Sequence, residues 1–211
     1  MNKLHTQYEG PIDIPLLHLS AGLLPLAYRT GHTPNILTTY SFISGVLAVL
    51  ALWHRRAATF ACLWTAGYFF DCMDGQFARK YNMVTRLGDL YDHATDLLVN
   101  GALLVVCWVR YRDTILASRW LRGLGVIWVV MAILLVVHIG CQQRSIVHSR
   151  QRGQPPETLD GLVCMCPAET EAPLRWTRFF SAATFNLMTV VVGVSLVMDQ
   201  SPNRSTPQDQ K

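Results

Sequence analysis

Residues 71–96 read DCMDGQFARKYNMVTRLGDLYDHATD and contain four aspartates at helical spacing. Asp71 and Asp74 are three residues apart, and Asp92 and Asp96 are four residues apart. Residues at these separations share one face of a helix, so the two carboxylates of each pair can converge. Long apolar runs flank the stretch, where carboxylates are costly unless they meet partners, water or metal. The stretch therefore predicts a functional site that binds cations.

Small residues continue both helical faces. Gly75 and Ala78 extend the face of the first aspartate pair, and Gly88 extends the face of the second. Such residues commonly let membrane helices pack closely, and they also let a nucleotide lie against a helix, so both interpretations stay open for each residue taken alone. Arg79 follows directly, and its planar guanidinium suits a pyrophosphate oxygen.

Together these positions resemble the signature of the CDP-alcohol phosphotransferases, integral membrane enzymes of phospholipid synthesis that displace CMP from a CDP-linked alcohol. Every defining position matches, and the resemblance covers about residues 33–106. We call this set the aspartate motif, and it consists of Asp71, Asp74, Gly75, Ala78, Arg79, Gly88, Asp92 and Asp96. The resemblance implies a membrane enzyme with a CDP-linked donor, a lipid or polyol acceptor, a homodimeric assembly and an active site facing the cytoplasm.

The resemblance also implies individual roles. Asp71, Asp74 and Asp92 would ligate metal, and Asp96 would act as general base beside the acceptor hydroxyl and contact a second metal. Attack on phosphorus spreads negative charge over oxygens, so catalysis is mainly charge neutralisation and positioning. Carboxylate oxygens favour two Mg²⁺ or Mn²⁺ ions over zinc.

The CDP moiety is expected to lie against Gly75, Ala78, Arg79 and Gly88. By the same resemblance, its cytidine pocket also draws on the start of the first membrane span, so Asn35 and Thr38 are predicted nucleotide contacts.

The substrate is less well defined. Asp92 followed by His93, with Asp96 beyond, is similar to the family branch that transfers phosphocholine or phosphoethanolamine to diacylglycerol, and this is the main prediction. The alternative donor is CDP-diacylglycerol, with inositol, serine or glycerol phosphate as acceptor, which the short chain favours. His138 and Arg144 are candidate contacts for an acceptor headgroup, although His138 also fits a structural role.

Other function classes fit less well. An ion or proton carrier needs polar residues through its spans, and here those spans are mostly apolar apart from His138 and Asn186. A catalytically inactive scaffold would be expected to lose one of the four aspartates, and none is lost. The net charge of +4 fits anionic lipid headgroups, and no basic stripe with interleaved aromatics predicts nucleic-acid binding.

Composition predicts an all-α, polytopic membrane helix bundle, since 51% of residues are apolar and only 15% are charged. Five segments approach the roughly 20 apolar residues that a spanning helix needs. We place them at about 34–53, 57–78, 88–109, 120–141 and 176–198. The family resemblance implies six spans and the sequence shows five, so five to six spans are expected. Residues 11–28, interrupted by Pro15 and Pro25, predict an N-terminal interfacial helix.

One membrane domain is expected over residues 1–199, followed by a disordered polar tail at 200–211. Residues 142–175 predict a polar loop, and no removable signal peptide is evident. The six scattered cysteines imply no disulfide framework, and Cys164 and Cys166 have a poor zinc spacing. Asp89 is predicted to cap the helix that carries Asp92.

Overall fold

A computed structural model describes residues 8–149, 158–167 and 172–200 of the chain. Seven α-helices occur in these ranges, and no strand is found there. Their bounds are α1 Asp13–Arg29, α2 Pro34–Trp53, α3 Ala57–Lys80, α4 Arg86–Ala117, α5 Arg119–Ser149, α6 Leu174–Thr177 and α7 Ala182–Asp199. Two 3₁₀ helices, Thr158–Met165 and Arg178–Phe180, precede α6 and α7 respectively. Of the predicted tail at 200–211, residues 201–211 lie outside the described residues.

Four helical segments of the described chain are long and apolar enough to cross a membrane, which confirms the predicted all-α membrane bundle. They are Pro34–Trp53, Arg86–Ala117, Arg119–His148 and Leu174–Asp199. The other predicted span, α3, has 24 residues and is about 36 Å long. It is absent from that set because its second half carries Asp71, Asp74, Arg79 and Lys80. α3 nevertheless packs extensively against α2 and also contacts α7 and α1.

α2 begins at the predicted residue, whereas α5 ends later than its polarity predicts. α2 begins at Pro34, where the Thr33 hydroxyl accepts a hydrogen bond from the Ile36 N–H at 3.4 Å. α5 continues to Ser149, so the predicted loop at 142–175 begins later than expected. Glutamine and arginine are good helix formers, and Arg144 donates to the Val163 carbonyl at 3.2 Å. The apolar span therefore ends where the polar residues begin, at 142, but the helix continues to Ser149.

Two of the buried clusters join the helices that carry the aspartates to their neighbours. One lies among α2, α3, α4, α5 and α7 and includes Leu52, Phe60, Leu103 and Leu196. Gly193 of α7 fits there because a Cβ at this position would overlap the Phe60 ring. The other cluster fixes α1 against the half of α3 that carries the motif, and it includes Leu24, Leu37, Met73 and Phe77.

The N-terminal helix α1 runs alongside α3 in the same direction. Asp13 accepts a hydrogen bond from Tyr68, Ser20 donates to Gln76, and Tyr28 stacks on Tyr81 with ring centroids 4.1 Å apart. The other side of α1 exposes leucines at positions 19, 23 and 26, the i, i+4, i+7 spacing of one helical face. That apolar face fits the predicted interfacial location, which stays a prediction.

The cysteines were expected to form no disulfide framework, but one disulfide is present. Cys141, near the end of α5, is bonded to Cys166, which follows the Thr158–Met165 helix, and their Cα atoms are 4.7 Å apart. The two cysteines are separated by 25 residues, and only the packing of this 3₁₀ helix against α5 brings them together. Cys164 is a free, exposed thiol. The Cys164 and Cys166 pair is therefore not available as a zinc site.

Replacing Cys166 by serine is expected to lower thermal stability, because the bond closes a loop in the unfolded chain. For 25 residues this constraint is worth about 3.5 kcal/mol. The check is thermal unfolding in detergent of Cys166→Ser beside Cys164→Ser, which removes a free thiol of the same segment. Equal melting temperatures for wild type and Cys166→Ser, without reductant, would contradict the prediction.

Candidate active site

The centre of the site is a group of three carboxylates on two helices. Asp71 and Asp74 of α3 and Asp92 of α4 each offer an oxygen, and these oxygens all lie within 4.8 Å of one another. α2 packs against both α3 and α4, so it fixes the two helices that carry the group. The sequence prediction that both halves of the motif converge is therefore met for these three residues.

A threonine of α2 orients one of these carboxylates. The Thr38 hydroxyl donates to Asp74 Oδ2 at 2.5 Å, and Thr38 is only 3% exposed. A bond of this kind fixes the rotamer of the aspartate and supports its negative charge. The contact gives Thr38 a role that the sequence did not predict, and its predicted nucleotide contact stays a prediction.

The two motif glycines occupy tight positions. A Cβ on Gly75 would lie 3.2 Å from the guanidinium of Arg79, so the arginine side chain folds over this glycine. A Cβ on Gly88 would lie 3.2 Å from Asn35 Oδ1 and 3.0 Å from Thr85 Oγ1. The structure thus brings Asn35 of α2 beside Gly88 of α4, two residues that the sequence analysis assigned to one ligand.

Asp96 lies one helical turn beyond Asp92 and is not part of the converging group of three. It is close enough for charge interactions with Asp71 and Asp74. Its backbone carbonyl accepts a hydrogen bond from the Asn100 amide at 2.9 Å. Asp96 is thus a charged neighbour of the group without being one of its three members, and its predicted roles as base and second-metal ligand stay predictions.

A cavity of about 240 Å³ opens beside the carboxylates. Five motif residues line it, namely Asp71, Asp74, Gly75, Arg79 and Asp92. The other predicted site residues, which are Asn35, Thr38, Ala78, Gly88 and Asp96, lie outside this lining. Apart from Cys72 of α3, the rest of the lining comes from the segment ahead of α1, from α1 and α5, and from the start of α7. We call this side the second wall, and its polar members are Glu9, Asp13, His138, Gln142 and Ser181.

Asp13 is the site residue that sequence reasoning missed. It is 7% exposed, and its Oδ1 accepts hydrogen bonds from the Tyr68 hydroxyl at 2.5 Å and from the Ala183 N–H at 3.3 Å. The carboxylate thus joins α1 to α3 and to the first turn of α7. Asp13 lies 58 residues before Asp71, and no local pattern marked it as more than a polar residue of an interfacial helix.

Of the two predicted acceptor contacts, only His138 lines the cavity. It is 1% exposed, and its Nδ1 lies 3.0 Å from Thr177 Oγ1. The Gln142 amide nitrogen lies 2.9 Å from His138 Nε2 and donates to it. Both ring nitrogens thus have protein partners, which agrees with a structural role at the cavity edge. Arg144 instead bonds the Val163 carbonyl and does not line the cavity.

Asp89 does not cap α4 as predicted. Thr85 is the N-cap, with its hydroxyl accepting a hydrogen bond from the Gly88 N–H at 3.0 Å. Asp89 Oδ2 instead accepts from the N–H and the hydroxyl of Thr158, at 2.8 and 2.5 Å. Asp89 thereby fixes the start of the Thr158–Met165 helix. His93 lies 3.6 Å from Asp89 and 3.7 Å from Asp92, and it does not line the cavity.

The donor set fits a hard divalent cation. Asp71, Asp74 and Asp92 supply only carboxylate oxygens, the ligands that Mg²⁺ and Mn²⁺ prefer, and no cysteine or histidine belongs to this group of the described chain. Three carboxylates at such short separations repel one another, so a bound cation would stabilise their arrangement.

Comparison with known proteins gives matches in one family. The family model described as CDP-alcohol phosphatidyltransferase matches residues 31–199. A CDP-diacylglycerol–inositol 3-phosphatidyltransferase of Candida albicans is 31% identical over 80 residues, which are 38% of this chain and 34% of the relative. Enzymes of the same name are 28% identical over 115 residues in Arabidopsis thaliana, covering 46% of this chain and 51% of the relative, and 27% over 95 residues in Saccharomyces cerevisiae, covering 45% and 43%.

The chain spans about a third to a half of the length of these curated relatives. No solved structure matches it.

Proposed function

Because this chain belongs to the CDP-alcohol phosphatidyltransferase family, we propose that it transfers a phosphatidyl group from CDP-diacylglycerol to an alcohol and releases CMP. The observation that carries the proposal is the convergence of Asp71, Asp74 and Asp92 beside Gly75 and Arg79 in one cavity. These are the residue types that bind a cation and a pyrophosphate in adjacent places.

The choice of donor follows the relatives. Their printed names describe CDP-diacylglycerol as donor and inositol as acceptor, which supports the alternative of the sequence analysis over its main prediction of a choline or ethanolamine phosphotransferase. His93, which suggested that branch, contacts Asp89 and Asp92 and does not line the cavity. An inositol-like acceptor is therefore our first choice.

Each group of site residues has its own role in the proposed reaction. Asp71, Asp74 and Asp92 would hold Mg²⁺ or Mn²⁺, which would neutralise charge on the phosphate oxygens. Arg79 donates hydrogen bonds to the pyrophosphate, and Gly75 lets it approach α3. The acceptor oxygen forms a bond to the β-phosphorus, the bond from that phosphorus to the CMP oxygen breaks, and Asp96 accepts the hydroxyl proton while CMP leaves with the electron pair.

CMP release by the purified protein in lipid or detergent tests the proposal. We expect release with CDP-diacylglycerol and inositol in the presence of Mg²⁺ or Mn²⁺, and its loss on chelation. The matched series offers CDP-choline or CDP-ethanolamine with diacylglycerol. Metal-dependent release only in that second series would reverse the choice of donor, and no release in either would remove the proposed activity.

The cellular arrangement is also a proposal. The candidate spans support an integral membrane protein, and we propose that its site faces the cytoplasm and that it forms a homodimer, as the family resemblance implies. Labelling of the exposed Cys164 from one side of the membrane tests the orientation. Mass measurement of the protein in native nanodiscs tests the homodimer.

A further inference from the structure

Three polar members of the second wall are already engaged within the protein. Both ring nitrogens of His138 have partners, and the buried Ser181 hydroxyl lies 3.3 Å from the hydroxyl of Thr184. One carboxylate oxygen of Asp13 is hydrogen-bonded to the protein, and the other is sealed from solvent. These side chains hold the wall together, and their engaged or sealed atoms leave little to offer a substrate.

Gln142 differs from these three residues. It is half-buried on α5, one turn beyond His138, and its amide nitrogen donates to His138 Nε2 at 2.9 Å. The amide oxygen has no donor among the described residues, and it is not one of the oxygens that the fold seals from solvent. The protein therefore holds one end of the amide, and the other end can accept a hydrogen bond from a molecule in the cavity.

The backbone of α5 next to Gln142 is fixed by two contacts around the Thr158–Met165 helix. Cys141 is bonded to Cys166, which follows that helix. A Cβ on Gly140 would lie 2.5 Å from a carbonyl oxygen of the 3₁₀ helix, so the two helices meet without an intervening side chain. A side chain that is held at its backbone and at one end of its amide loses little freedom when it binds a ligand.

The position of Gln142 in the cavity suits the acceptor better than the donor. The residues assigned to the nucleotide, Gly75, Arg79, Gly88 and Asn35, belong to α2, α3 and α4, whereas Gln142 lines the cavity from α5. In a displacement at phosphorus, the attacking and leaving oxygens lie roughly in line on opposite sides. An alcohol that attacks from the side away from the nucleotide therefore meets the second wall.

We propose that Gln142 is an acceptor-binding residue: its amide oxygen accepts a hydrogen bond from one hydroxyl group of a compact polyol acceptor, and His138 holds the amide in place. This inference rests on the proposed function and names a residue that selects its acceptor. The cavity of about 240 Å³ is smaller than the roughly 300–1,000 Å³ typical of sites for drug-sized ligands, so a compact acceptor suits it. A ring polyol such as inositol has hydroxyl groups beyond the one that attacks phosphorus, so one of them can bond Gln142 while another reacts.

Gln142→Met tests this contact, because methionine is also a long, unbranched helix former but has no amide. Steady-state CMP release by the full-length protein is measured with Mg²⁺ and saturating CDP-diacylglycerol, while inositol is varied. We expect the KM for inositol to rise roughly three- to tenfold, the loss of about one hydrogen bond. The KM for CDP-diacylglycerol is expected to stay near wild type. The matched control is Gln143→Met, which changes the same residue type at the next position, outside the cavity lining, and it is expected to keep the KM for inositol.

Acceptor analogues separate substrate binding from a structural role of Gln142. Monodeoxy inositols each lack one ring hydroxyl. For the hydroxyl that bonds Gln142, we expect wild type to show a KM roughly three- to tenfold higher for the deoxy analogue than for inositol. Gln142→Met is expected to show equal KM values for the two acceptors, because the hydrogen bond is already lost. If Gln142 only positioned His138, the substitution would raise KM by the same factor for every acceptor.

Two kinetic results would overturn the inference. They are an unchanged KM for inositol in Gln142→Met, and a rise in KM by the same factor for inositol and for every deoxy analogue. A binding measurement keeps this test separate from that of the proposed function. If no donor and acceptor pair releases CMP, the proposed function fails, and thermal stabilisation by inositol in the presence of Mg²⁺ and CDP still decides. Weaker stabilisation of Gln142→Met than of wild type supports the inference, whereas equal stabilisation of the two, or none of wild type, overturns it.

Discussion

Asp92→Asn is expected to lower metal-dependent CMP release by about a thousandfold, because it removes one of the three converging carboxylates. A bound divalent cation supplies several kcal/mol of charge stabilisation in the transition state, and about 4 kcal/mol corresponds to three orders of magnitude in rate. The neutral amide that replaces the carboxylate is a weaker ligand, so the Mn²⁺ concentration needed for half-maximal rate is expected to rise as well. Mn²⁺ binding followed by electron paramagnetic resonance and CMP release measure the two effects.

Asp113→Asn is the matched control, since it removes one carboxylate from the same helix at an exposed position. It is expected to keep both the rate and the affinity for Mn²⁺. If Asp92→Asn retained wild-type turnover at low Mn²⁺, the three carboxylates would not be the metal site, and the proposed function would lose its main support.

Asp96→Asn is expected to reduce kcat by about a hundredfold to ten-thousandfold, the usual contribution of a general base. Asp96→Asn is expected to differ from Asp92→Asn in its effect on metal binding. Asp96 lies outside the group of three, so its replacement is expected to weaken Mn²⁺ binding less than Asp92→Asn does and to leave the KM for CDP-diacylglycerol near wild type. The measurement is kcat for CMP release at saturating substrates and metal, with Mn²⁺ binding measured on the same preparation.

Two outcomes would contradict this assignment. A wild-type kcat in Asp96→Asn would mean that another group accepts the proton. A loss of Mn²⁺ affinity equal to that of Asp92→Asn would make Asp96 chiefly a metal ligand.

Local sequence patterns predicted much of the fold and of the site. Helix starts, such as Pro34 after Thr33, are decided by backbone and side-chain groups within one turn, so they can be read from neighbouring residues. The spacing of Asp71, Asp74 and Asp92 likewise follows from helical periodicity and predicted a shared site. Helix ends were less accurate, because α5 continues through polar residues that find partners on the Thr158–Met165 helix.

What the sequence by itself determined is therefore the class of fold, the family and the three converging carboxylates, all of which depend on composition and short-range spacing. The tertiary structure alone decided how distant segments complete the site: Thr38 bonds Asp74 across 36 residues, and Asp13 bonds the backbone of Ala183 across 170. It also paired Cys141 with Cys166. The physical reason is that such contacts depend on which helix faces pack together. This packing buries apolar groups and pairs polar groups over the whole chain, so a local sequence pattern does not determine it.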